Sequence, residues 1–355
     1  MVAQPTALTF RPTTPNDGPA ISQLLTETFG IPATHPSVDP ALLHWKYWAE
    51  RSDIPGPRSF VLARGANIIA HAAIVPSRCL IDEGELRIAH VVDWVRHPSA
   101  LGAGTALMKR IGRTVDALIA IGGSADTLAV LPVLGFRVQD EAIGLARPLR
   151  PLRRLTAATH RSWRSLPQFM RSVAWMSSAP ASRPTGWKST PVMPHQLTES
   201  AVPLPTRRAG SPLIGRTVGQ LRYLMACPIV RVKLYALECS APRSLRGYVL
   251  LAFAPGQARI VDCWIESNDP ADWRALAQVA VALARQDPDA AEIVTLTNDP
   301  VRLAAFRASG FHVRQRRLVQ MLRTGSKPIP QAGVSVQLVD NDAFCYRSSG
   351  DEFWA

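Results

Sequence analysis

The 355-residue chain has few cysteines, few acids and no long apolar run. Its five cysteines (Cys79, Cys227, Cys239, Cys263 and Cys345) form no CxxC pair and hold no ligand-like spacing to histidine. That argues against a disulfide framework and a zinc site, and it fits a reducing, cytoplasmic setting. No apolar run approaches the roughly 20 residues needed to span a bilayer. The opening MVAQPTALTF has no basic segment ahead of an apolar core, so it does not read as a signal peptide. Acids number 27 against 40 Lys plus Arg, a net charge of +13, and residues 142–196 contain none. Arg147, Arg150, Arg153, Arg154, Arg161, Arg164, Arg171, Arg183 and Lys188 all fall in that stretch. Such a patch is either a solvated linker or a contact for anionic surfaces. No sequence-specific nucleic-acid motif accompanies it.

What is present is globular: 47% of residues are hydrophobic and 19% charged, over a length that suggests two domains. The first 145 residues alternate strand and helix signals. Strands are expected at 7–11, 59–63, 68–75, 86–95 and 118–121, and helices near 19–29, from Pro40, from Gly104 and at 126–134. A similar order returns later. Trp45-Lys46-Tyr47 is echoed by Leu221-Arg222-Tyr223, His90-Val91-Val92-Asp93 by Arg259-Ile260-Val261-Asp262, and Leu134-Gly135-Phe136 by Ser309-Gly310-Phe311. The offsets from Tyr47 to Tyr223, Asp93 to Asp262 and Gly135 to Gly310 are 176, 169 and 175 residues. Three features in one order at near-constant spacing point to a duplicated domain. The expected division is a first domain at 1–146, a basic Pro/Arg-rich linker with a helical segment at 147–212, a second domain at 213–325 and a tail at 326–355.

The chemistry concentrates in HVVDWVRHPSALGAGTALMKRI, residues 90–111. A buried strand runs into a Pro- and Gly-containing turn, and a helix starts near Gly104. Glycines let successive N–H groups converge, and the helix start adds its own N–H groups and positive dipole end. Together they make a pyrophosphate site, although a tight turn uses glycine for steric reasons too. The second copy differs. Between Cys263 and Val279 it has no glycine, and Glu266, Asp269 and Asp272 stand in the turn. Asp93 is an acid in an otherwise apolar strand, costly to bury without a reason. It is either a general base or a structural carboxylate held by Lys46 or Tyr47, as Asp262 would be by Arg222 and Tyr223. His90, His97, His35, Trp45 and Trp48 are weaker candidates, the tryptophans reading equally as core.

The run V-x-H-P-x-x-x-G-x-G-x-A-L-M, with L-G-F about 30 residues on, resembles the GNAT superfamily of acyl-CoA-dependent N-acyltransferases. The resemblance implies an α/β fold with a mixed α+β sheet, in two tandem GNAT-like domains of which the second is degenerate. It implies acetyl-CoA as co-substrate, with pyrophosphate held on Leu101, Gly102, Ala103, Gly104, Thr105 and Ala106. Leu101 stands where the family carries Arg or Gln. A backbone N–H at Val95 or Arg96 would polarise the thioester carbonyl, and Ser124 falls near an asparagine that touches the pantetheine arm. Leu131 replaces a tyrosine that protonates the leaving thiolate, and Phe306 does so in the second copy.

The resemblance implies a cytoplasmic N-acyltransferase acting on an amino group of a small molecule or sugar. Its HWKYW helix and DWVxHP strand are similar to tandem proteins of bacterial polysaccharide gene clusters. No Cys or Ser is arranged as a nucleophile, so transfer would be direct. Two alternatives stand beside this reading: an inactive GNAT-fold scaffold, and a peptidoglycan-type transferase using aminoacyl-tRNA.

Overall fold

The computed structural model describes residues 8–153, 165–177, 184–207, 211–240, 244–326 and 333–345. The chain divides into two compact units that are not contiguous stretches. Unit 1 comprises Met1–Gln139, Ala209–Ile214 and Leu318–Gly333, and unit 2 comprises Asp140–Arg208, Gly215–Arg317 and Val334–Ala355. This differs from the contiguous division expected from sequence. A strand's partners are set by hydrogen-bond pairing, which sequence proximity does not determine.

In unit 1, β1 (Leu8–Pro12), α1 (Gly18–Phe29) and α2 (Pro40–Tyr47) lead into β2 (Ser59–Arg64), β3 (Asn67–Ile81) and β4 (Gly84–Arg96). Then follow α3 (Ala103–Gly112), β5 (Ala117–Ile121) and α4 (Ala125–Val133). The sheet order is β1-β2-β3-β4-β5, and Val319–Arg323, from far along the chain, pairs antiparallel with β5. Side-chain alternation sorts the strands into two faces. Ala70, Ala72, Ile74 and Ala89 pack with Leu107, Met108 and Ile111 of α3. Ala73, Val92 and Val95 pack with Ile21, Leu25, Leu43 and Tyr47 of α1 and α2. The α3 helix stops at Gly112, where a Cβ would lie 2.9 Å from Thr324 Cγ2.

Unit 2 contains most of β6 (Arg137–Pro148), then α5 (Ser165–Ser177) and β7 (Trp187–Val192). After β8 (Leu213–Ile214), which pairs with β3 in unit 1, come α6 (Val218–Met225), β9 (Arg231–Cys239), β10 (Leu245–Ala254) and β11 (Gln257–Ile265). The succession ends with α7 (Pro270–Ala284), β12 (Glu292–Thr297), α8 (Pro300–Ala308) and β13 (His312–Arg323). The sheet order is β6-β12-β11-β10-β9-β7, with β11 and β12 parallel. The duplication is visible in matching helix ends. Gly135 and Gly310 both take positive φ, at 92° and 81°. After them Phe136 N–H donates to Leu131 O, and Phe311 N–H to Phe306 O. Only glycine enters that left-handed position cheaply.

The basic stretch is partly consumed inside unit 2. Arg147 is fully buried and donates to Ser309 O, its pKa lowered to about 10 by burial. Arg150 caps the end of α7 through the carbonyls of Arg285, Asp287 and Ala290, and Arg153 pairs with Asp289. Trp175 of α5 packs against Ala146 and Val294 and stacks on His312 at 4.1 Å. Arg154, Arg161, Arg164 and Arg183 lie outside the described residues. No helix among the described residues is long and apolar enough to cross a membrane.

Candidate active site

The α3 helix begins on Gly102, whose φ of 77° is left-handed and which has no side chain to cap the turn. Ala103 N–H bonds Ala100 O, and Ala106 N–H bonds Gly102 O. The N–H groups of Leu101, Gly102, Gly104 and Thr105 make no hydrogen bond among the described residues. Uncapped donors at a helix start, joined by the dipole, form the donor set that a pyrophosphate takes. Leu101 is 83% exposed, so its apolar side chain obstructs nothing there. Thr105 turns its hydroxyl back onto Gly102 O. Arg96 braces the approach by donating to His97 O and Pro98 O. Ser124 caps α4 by accepting from Thr127 N–H.

β4 and β5 pair over three residues only: Ile88 with Ala117, Ala89 with Leu118 and His90 with Ile119. Beyond His90 the two strands part, and β4 runs on through Val95 to the glycine turn. Within this run lies a bulge, because Ala73 faces Val92 and His71 faces Val95. Asp93 sits in it at φ 50°, the one non-glycine residue with positive φ among those described. Strict alternation would put Asp93 with Ala89 and Val91 on the α3 side, and His90 on the other. The bulge removes that expected separation and turns Asp93 to the α2 side. There its Oδ2 accepts from Lys46 Nζ at 2.5 Å and from Tyr47 Oη at 2.6 Å. The pair is nearly dry, with 5% and 8% of the two charged side chains exposed.

Behind Asp93 stands a group that sequence reading passed over. His71 Nδ1 is 3.2 Å from Asp93 O, and its Nε2 is 2.9 Å from Ser59 Oγ. Burial pushes the His71 pKa down to about 3, against the partly opposing bond to Asp93 O. A histidine inside the apolar run IIAHAAIV was a visible signal. Trp45 is buried, and Trp48 packs on the α1/α2 core while donating to Thr13 Oγ1. His35 and His97 each bond a serine two residues on, Ser37 and Ser99. His90 is buried in the sheet.

The same positions in unit 2 are closed by the chain itself. The α7 helix begins on Asp269, whose carboxylate accepts from Ala271 N–H at 2.9 Å, while Asp272 takes the Ser267 hydroxyl at 2.5 Å. β11 and β12 pair only through Gln257, Ala258 and Arg259, then part. Gln337 fills the opening, bridging to Thr297 and accepting from Cys263 N–H at 3.0 Å. The segment 334–345, expected as a tail, thus belongs to the core of unit 2, with Val334, Val336, Leu338, Val339 and Phe344 buried. Asp262 is held by Arg216, Tyr248 and Gln337, not by the expected Arg222 and Tyr223. Tyr248 faces Trp264 and Leu250 faces Asp262 across the ladder, which makes Tyr248 a diagonal neighbour on the same face. Arg222 instead donates to Pro194 O and Leu197 O.

No family model matches the sequence, and no curated protein matches it. Solved structures do. The chain is similar to a conserved protein of unknown function from Enterococcus faecalis V583, described as a probable N-acyltransferase. The TM-score is 0.56 at 12% identity, over 90% of this chain and 73% of that one. It is similar to a tandem GNAT protein from the clavulanic acid biosynthesis pathway, with TM-score 0.55, 15% identity, and 91% and 100% covered. A GCN5-related N-acetyltransferase from Anabaena variabilis ATCC 29413 gives 0.53 at 11% identity, over 90% and 73%. The chain has the GNAT fold, twice in tandem.

Proposed function

We propose that the chain is an N-acyltransferase whose unit 1 moves an acyl group, acetyl foremost, from CoA to an amine of a small molecule or amino sugar. The observation that carries this reading is the contrast between two helix starts. In α3 the N–H groups are left uncapped by Gly102, whereas in α7 they are filled by Asp269. Acyl-CoA, bound as co-substrate, supplies an activated thioester. The chain's residues do the rest. Backbone N–H groups of Leu101, Gly102, Gly104 and Thr105 hold the pyrophosphate, and the N–H of Val95 or Arg96 polarises the acyl carbonyl. Asp93 takes the proton of the attacking amine, directly or through water. Leu131 is buried and brings no proton, so the CoA sulfur departs as a thiolate, tolerable for a thiol of pKa about 8.5. Since unit 2 closes its own opening, one acyl-CoA binds per chain.

Calorimetry with acetyl-CoA tests the reading. Wild type should bind, and Leu101→Glu, at an exposed position, should weaken binding at least about tenfold by charge repulsion while leaving Tm unchanged. No binding by wild type would sink the proposal. Binding without turnover against a panel of amines and amino sugars would favour the inactive scaffold, for which the Lys46–Asp93 pair already speaks.

A further inference from the structure

A one-way chain of hydrogen bonds runs beneath the strained residue of unit 1. Trp48 Nε1–H, which can only donate, gives to Thr13 Oγ1 at 3.0 Å. Thr13 has one hydroxyl proton, directed to Ser59 Oγ at 2.7 Å in preference to the 3.4 Å approach to Ser59 O. Ser59 in turn has one proton for His71 Nε2, at 2.9 Å. The ring proton of His71 must then sit on Nδ1, where it meets Asp93 O, which can only accept, at 3.2 Å. Because each end can act in one way only, every proton in between is assigned. The neutral ring this requires agrees with a His71 pKa held near 3 by burial.

We propose that His71 is a positioning residue for the unit 1 reaction: its Nδ1–H braces the Asp93 carbonyl and so keeps the turned backbone that delivers the Asp93 carboxylate to Lys46 and Tyr47. The inference rests on the acyl-transfer reading for its kinetic consequence and on the geometry alone for the tautomer. Two further observations support it. Asp93 has a φ of 50°, a conformation that a non-glycine residue keeps only when its surroundings impose it. In unit 2, Asp262 has no positive φ and is reached by Arg216, Tyr248 and Gln337 instead. The brace accompanies the strain. The other bonding face of the ring is fixed by Ser59, and Tyr47 packs beside it with ring centroids 5.1 Å apart.

Imidazole 15N NMR on the full chain, combined with steady-state kinetics, tests this. Wild type should show a neutral His71 with the proton on Nδ1, and Ser59→Ala should mix the two tautomers. His71→Leu should lower kcat about 10- to 100-fold, as displacement of a reacting group does, with acetyl-CoA Kd unchanged. His71→Gln, which keeps a donor and an acceptor, should recover most of that loss. If His71→Leu does not fold, His71→Phe, which likewise lacks the Nδ1–H, carries the kinetic arm with the same expected split. An Nε2–H tautomer in wild type overturns the proposal. So does kcat within twofold of wild type in the variant that lacks the bond. Absence of turnover in wild type would instead count against the acyl-transfer reading, and the tautomer measurement would still judge the brace.

Discussion

Trp94 donates its indole N–H to the carbonyl of Gly104 at 3.0 Å, and a Cβ on Gly104 would lie 3.1 Å from that same nitrogen. The glycine therefore serves packing as well as donor geometry: the strand's tryptophan lies against the first turn of α3. Gly104→Ala should force Trp94 to give way by a few tenths of an ångström, at a cost of about 1–3 kcal/mol as in overpacked cores. Urea denaturation with Trp fluorescence would read it. A stability equal to wild type would mean the indole is less tightly held than the structure shows.

The buried His71 makes an acid-side prediction. Its folded pKa, near 3, lies below the ordinary 6.5, so the unfolded chain binds a proton that the folded chain refuses. The contribution is complete above pH 6.5 and is lost as pH falls toward 3, at up to about 1.4 kcal/mol per unit. Comparing His71→Gln with wild type isolates it from the carboxylates. The variant should lose stability less steeply across that window, and parallel pH profiles would contradict the assignment.

In unit 2, Arg216 joins Asp262 and Asp340, both at 3.1 Å, with all three side chains almost wholly buried. Burial opposes the Arg216 charge, but the pull of the two acids prevails and raises its pKa. Arg216→Met would leave those carboxylates without their cation and should cost about 3–5 kcal/mol. Chemical denaturation should show the loss. A Met variant as stable as wild type would mean the cluster adapts by protonation or by water entry.

Acetyl-CoA should titrate to one per chain. Gln337→Ala keeps the backbone bridge to Thr297 but removes the side-chain amide, leaving the Cys263 N–H and Asp262 short of a partner. Stability should fall by about 1–3 kcal/mol, the usual cost of buried polar groups left unsatisfied. Stoichiometry should stay at one, because Asp269 still caps α7. Two equivalents bound by wild type would overturn the account of unit 2.

Much of the architecture was legible along the chain. Strand and helix periodicity located most elements of unit 1, because each half-buried element repeats its apolar residues at its own period. The order of Tyr, Asp and Gly features disclosed the duplication, and the glycines of the 101–106 turn marked the uncapped helix start. Local chemistry sufficed for these, since a cap or a turn involves only neighbours in sequence. The acids in the turn of the second copy were legible too, while the structure shows that one of them, Asp269, caps α7.

The contacts of Asp93 with Lys46 and Tyr47 were anticipated from the sequence, but other relations between distant residues were decided by the tertiary structure. One bulge reversed the face of Asp93, since a single inserted residue shifts a period of two, and only the fold shows where that insertion falls. Asp262 chose Arg216 and Tyr248 over Arg222 and Tyr223 because cross-strand register sets which side chains meet. The closure of unit 2 by Gln337, and of the unit 1 sheet by Val319–Arg323, depends on chain return over long separations that no local pattern encodes. The sequence by itself determined the elements and the glycine turn. The fold determined which carboxylate is strained, what braces it, and which of the two openings the chain fills itself.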